Sequence, residues 1–159
     1  MFRIISIMSF FLIVLNASII HFEEEKYIEV LDNSIRKQGT LEFLEDTIKL
    51  KYKNSKRTLI YKDDNLDIII GDEVQTIDLN NQVSLKILFL LMQSIHYNDI
   101  EMIEEYFAIT KEKNLTILTP KENIKNYIKL VEFKKSTHLE FIKIYMYNKN
   151  IITIREIHD

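Results

Sequence analysis

Alternation of apolar and polar positions dominates the chain after residue 21, and it is cleanest over 47–53. There Ile48, Leu50 and Tyr52 fall on one side and Thr47, Lys49, Lys51 and Lys53 on the other. Successive side chains of a strand point to opposite faces, so a period of two predicts a strand with one face buried. The same reading predicts strands over 22–31, 38–44, 57–62, 66–70 and 73–79, and again over 106–111, 115–118, 127–133, 139–147 and 151–157. In the first of these Phe22, Ile28 and Val30 share a face, with Tyr27 and Leu31 on the other. Asp32-Asn33-Ser34, Asn54-Ser55-Lys56 and Asp63-Asp64-Asn65 supply turns, because short polar side chains bond nearby backbone and tolerate left-handed φ. Gly71-Asp72 marks a tight hairpin. Six short strands joined by short turns predict a meander whose sequential neighbours pair antiparallel.

The period changes in the middle. Residues 82–97 contain Leu, Lys, Met and Gln with no Gly or Pro, and Asn81 or Ser84 is placed to cap them, which predicts a helix. Its apolar residues, from Leu85 through Phe89, Leu90 and Met92 to Ile95, wrap most of its circumference, and a helix of that kind is buried on most sides. Residues 99–105 predict a second, short amphipathic helix with Ile100 and Ile103 inward, and Pro120 opens a helical turn that runs to Asn126. The predicted fold is mainly β with some helix (α+β): a single antiparallel sheet of about eleven strands, which curls at that size into an incomplete barrel. The buried helix is its plug or lid. A helix resting in a half-barrel leaves an apolar cavity whose volume depends on how deeply it sits. Periodicity alone does not separate a packed core from a ligand groove.

The N-terminus adds a destination. Arg3 precedes an apolar run from Ile4 to Leu15 and then Asn16, Ala17 and Ser18, the anatomy of a secretory signal helix. The expected division is a signal peptide over 1–18, cut after Ala17 or Ser18, and a single domain over 19–159. The acidic stretch His21 to Glu25 then marks the start of the mature chain, and an uncleaved membrane anchor is the alternative.

Composition narrows the chemistry. There is no cysteine, which removes disulfides, thiolate metal sites and cysteine nucleophiles. Gly39 and Gly71 are the two glycines and neither has a glycine neighbour at phosphate-loop spacing. Twenty-one basic residues against 24 acidic ones, with no basic block, argue against nucleic acid as a partner. His21, His96, His138 and His158 have no metal-ligand spacing, apart from Asp99 and Glu101 near His96, so no metal or cofactor is expected. No Ser-His-Asp arrangement is visible either, and the expectation is a protein that is not an enzyme.

Phe22 to Ile28 with Gly39 to Phe43, Leu59 to Tyr61 with Leu66 to Asp72, Leu88 to Phe107 and Leu115 to Lys121 resemble, in order and spacing, the family of the periplasmic lipoprotein carrier LolA and its LolA-like relatives. Phe22-Glu23-Glu24-Glu25-Lys26-Tyr27-Ile28 followed by Gly39-Thr40-Leu41-Glu42-Phe43 is similar to the family's first hairpin, an F-x-E strand paired with a G-x-L-x-F strand. Leu59-Ile60-Tyr61 and Leu66 to Ile70 before Gly71-Asp72 resemble its central strands. Leu88 to Tyr97, Asn98-Asp99 and Tyr106-Phe107 resemble its helix and the turn and strand after it, and Leu115-Thr116-Ile117-Leu118-Thr119-Pro120-Lys121 its L-x-L-x-P-K/R segment. The match spans about 22–157. Two features depart from the lipoprotein carriers: Glu45-Asp46 stands where they have arginine-proline, and no long helix precedes the first strand. LolA-like relatives associated with other lipids resemble the chain at least as well.

The resemblance implies an incomplete barrel whose apolar interior shields lipoprotein acyl chains or another lipid in the periplasm. An inner-membrane ABC-type transporter would load it and an outer-membrane acceptor unload it, the carrier itself being a monomer. Together with inward alternation it nominates Leu41, Phe43, Leu50, Tyr52, Leu59, Tyr61, Phe89, Leu90, Met92, Leu130 and Phe141 as the lipid-binding lining. The competing expectation is a periplasmic or membrane-anchored structural or interaction protein with a filled core and no cargo.

Overall fold

The computed structural model describes residues 17–158; the predicted signal over 1–18 lies almost wholly outside them. The described chain forms one sheet of eleven strands, one α-helix and short 3-10 turns. The first half is β1 (Ser18–Ile28), β2 (Asn33–Leu44), β3 (Thr47–Tyr52), β4 (Arg57–Lys62), β5 (Asn65–Ile70) and β6 (Glu73–Asp78). Helix α1 (Val83–Tyr97) follows, then β7 (Phe107–Glu112), β8 (Leu115–Pro120), β9 (Ile128–Lys135), β10 (Leu139–Met146) and β11 (Ile151–Glu156).

Sequential strands pair antiparallel throughout both meanders, and β1 also pairs with β11, in the order β6-β5-β4-β3-β2-β1-β11-β10-β9-β8-β7. The two ends of the described chain therefore meet in the middle of the sheet. Its edges are β6 and β7, which do not pair, so the barrel is incomplete. Helix α1 joins those edges and crosses the concave face: Phe89 stacks on Tyr61 of β4, and His96 stacks on Phe43 of β2.

The period-two pattern becomes ladders of inward residues. Ile20, Leu41, Leu50, Leu59 and Ile68 stand abreast across β1 to β5, and Leu118, Val131 and Ile144 across β8 to β10. Their neighbours in sequence face outward, and burying one face of each strand is what fixes the register. Gly39 occupies the same rung as Phe22 and Tyr52. With no side chain between them, the two rings meet edge to face at 5.8 Å across the glycine.

Several boundaries differ from expectation, among them that of β8, which runs on to Pro120 opposite Phe107. β1 begins at Ser18, since Ser18 to His21 pair with Thr40 to Phe43, which sets the acidic stretch inside the strand. Val30 and Leu31 belong to a 3-10 turn over Glu29–Leu31 and are 89% and 65% exposed. Asp32 closes that turn in the left-handed region (φ 44°) and β2 starts at once, so the turn comes earlier than the Asp-Asn-Ser cluster suggests. Residues 99–105 form a 3-10 turn (Ile100–Ile103) in place of a second α-helix: Asn98 (φ 56°) ends α1, and the Ser94 hydroxyl donates to the Asp99 carbonyl. Ile103 is nonetheless fully buried, as its inward assignment requires.

Candidate functional site

Most of the nominated lining lies where alternation puts it. Leu41, Phe43, Leu50, Tyr61, Phe89 and Met92 are buried, and Tyr52, Leu59 and Leu90 pack half-buried against them. Under β3 to β5 this side is filled. Tyr61 and Phe89 lie parallel with centroids 4.9 Å apart, the separation at which offset stacking is favourable. The Tyr61 hydroxyl donates to Asp64 Oδ1 and the Tyr52 hydroxyl to Glu24 Oε2. Burial first, and the adjacent carboxylate second, hold both phenols well above their ordinary pKa, so they remain hydrogen-bond donors.

Leu130 and Phe141 are corrections. Leu130 pairs with Tyr145 and Phe141 with Lys134 on the outward face, and neither belongs to the core. The pairing of β9 with β10 shifts register between Leu139 and Phe141 and again between Tyr145 and Met146. A bulge adds one residue to one strand and flips the alternation beyond it. Val131, Ile142 and Ile144 point inward instead. Unbroken alternation from Leu139 would set Phe141 inward, and the bulge that breaks it has no signature in these residues.

An apolar cavity of about 290 Å³ remains where α1 does not reach the sheet. Met92 and Ile95 of α1 form one wall, Ile20 and Phe22 with Leu41 and Phe43 the second, and Leu139, Ile142 and Ile154 the third. Of the nominated residues, Leu41, Phe43 and Met92 border it; Ile20, Phe22, Ile95, Leu139, Ile142 and Ile154 were missed. Ser18, His96, Lys135, Thr137, His138 and Glu156 form a polar rim. Binding cavities span roughly 300–1,000 Å³ and are apolar with few polar groups, so this one falls just below the small end of that range.

The rim is ordered. The His96 ring lies flat on Phe43, 3.8 Å between centroids and 5° between planes, and burial, then Lys135, lower its pKa from the ordinary 6.5. Glu156 accepts the Leu139 backbone N–H at 2.8 Å. Lys135 Nζ donates to the Ile95 and His96 carbonyls at 2.6 and 2.9 Å and to Asn98 Oδ1 at 2.9 Å. The last carbonyls of a helix lack intrahelical donors, so β9 caps α1 with this ammonium. Tyr97 adds a second tie, its hydroxyl donating to the Glu45 carbonyl at 2.8 Å. At the other end Lys86 Nζ bonds Asp64 at 2.7 Å, and the helix is thereby held at both termini. Among the described residues no group of three His, Cys, Asp or Glu side chains is placed to hold a metal ion. No described helix is long and apolar enough to cross a membrane.

No family model matches the chain and no curated protein matches it. Among solved structures it is similar to one described as an outer membrane lipoprotein-sorting protein domain from Vibrio parahaemolyticus. The TM-score is 0.50 at 10% sequence identity, over 91% of this chain and 84% of that one. At such identity the likeness concerns the fold, an open antiparallel half-barrel with a helical lid, as the LolA-like resemblance implied.

Proposed function

We propose that this protein is a periplasmic carrier that shields the acyl chains of a lipoprotein, or of another lipid, between inner and outer membranes. The observation that carries the reading is the apolar cavity between α1 and the seam of β1, β2, β10 and β11. A helix plugging a half-barrel closes one half and leaves this space lined by hydrocarbon. Burying an acyl chain there is favoured by roughly 0.8 kcal/mol per methylene group. The likeness to a lipoprotein-sorting domain supports the same reading at the level of fold. Loading by an inner-membrane ABC-type transporter and unloading at an outer-membrane acceptor belong to this proposal as its partners.

The packing of Leu50, Tyr52, Leu59, Tyr61, Phe89 and Leu90 away from the cavity favours the filled-core alternative for that half of the molecule. Uptake of a fluorescent fatty acid, with native mass spectrometry and lipid extraction of the purified protein, decides between them. Ile20→Trp, which fills the cavity from its half-buried wall, is expected to reduce uptake several-fold. Phe141→Ser, on the outward face, leaves it unchanged. Absence of both uptake and copurified lipid in the folded protein means that the structural alternative holds.

A further inference from the structure

A second cavity, of about 500 Å³, lies on the other side of the α1 C-terminus from the apolar one. Its floor is greasy, made by Ile100 and Phe133. The end of β7 and the turn into β8 contribute Lys111, Lys113 and Asn114 to its lining. Lys134 also borders it, ion-paired at 2.7 Å with Glu140, the one carboxylate among its lining residues. Lys111 and Lys113 make no salt bridge among the described residues. Lysine therefore outnumbers carboxylate four to one here, in a protein whose formal net charge is -3.

Ile95 and Lys135 line both cavities. They are the partition between a hydrocarbon-lined chamber and a cationic one. That juxtaposition has the shape of an amphiphile. We infer that the two chambers form one site for an anionic amphiphile: its acyl chain occupies the apolar cavity, and its phosphate or carboxylate is held by Lys111 and Lys113. Lys135 does not serve as the anion's partner, because the α1 carbonyls and Asn98 already take its three protons. Its role is positional, keeping the partition where a head group crosses from one chamber to the other. The inference rests on the carrier reading and narrows its cargo.

Native mass spectrometry and probe displacement on the full chain test it with lysophosphatidic acid, the monoacylglycerol of the same chain length, and inorganic phosphate. Lysophosphatidic acid is expected to bind about tenfold tighter than the monoacylglycerol, as two charge-assisted contacts would give, and the gap should close with added salt. Lys111→Gln with Lys113→Gln, both at exposed positions, should bring the two lipids to parity. Equal affinities in the unaltered protein, or a gap that survives the double substitution, would overturn the head-group assignment and leave carriage standing. Phosphate binding as tightly as lysophosphatidic acid would overturn it in favour of a free-anion site. If neither lipid binds, carriage itself fails.

Discussion

Gly39 has no room for a side chain. A Cβ there would stand 2.6 Å from the Lys51 carbonyl oxygen and 2.9 Å from the Phe22 ring, inside the closest separation real contacts reach. Gly39→Ala is expected to destabilise the fold by about 1–3 kcal/mol, through displacement of β3 or of Phe22, as denaturant titration would register. The sequence places a glycine in a strand and resembles a G-x-L motif. Only the register explains it, by setting Phe22 and Tyr52 on either side. His96 carries a pH dependence. Burial holds its folded-state pKa below 6.5, so the unfolded chain binds more protons as pH falls through that value. Its contribution to stability is complete above that pH and is lost as pH falls towards the folded-state pKa. His96→Phe keeps an aromatic ring on Phe43 and should flatten the decline in stability between about pH 7.5 and about pH 5.5, measured by urea unfolding.

Among elements, α1 decides how much of the half-barrel is open. Its N-terminal half is seated by the Tyr61–Phe89 stack and the Lys86–Asp64 pair, and its C-terminal end by Lys135 and Tyr97. Lys135→Met leaves the His96 carbonyl without its ammonium donor and the Ile95 carbonyl with only the long Asn98 N–H bond at 3.4 Å, a loss of about 1–3 kcal/mol. The expected result is faster hydrogen exchange at the amides of the last turn of α1, with those of its first half little changed. Equal acceleration along the whole helix would mean that the helix moves as one body and that Lys135 is no local clamp. The helix, its buried character and its limits within a residue were legible from composition and period. Its seating was not, because the partners come from β2, β4 and β9, far away in sequence.

At the scale of the molecule, the seam between β1 and β11 joins two meanders that are otherwise separate in the sheet. Phe22 to Tyr27 pair with Ile151 to Glu156 along it, and the walls of the apolar cavity come from both sides. A chain ended before Ile151 loses β11 and with it every pairing between the halves, so it should lose cooperative unfolding in calorimetry. Removal of an edge strand would not have that effect, since β6 pairs with β5 alone.

The residues by themselves determined the number of strands, their antiparallel succession, the helix between the sixth and seventh, and the inward face of β2 to β4. Each of these follows from local periodicity, which is written wherever a strand or helix buries one side. The tertiary structure alone decided the pairing of β1 with β11, the bulges that turn Leu130 and Phe141 outward, and the position of the two cavities. The seam depends on residues more than a hundred positions apart reaching the same rung, the bulges on one extra residue in one strand of a pair, and the cavities on how closely a helix approaches a sheet, quantities that no periodicity encodes.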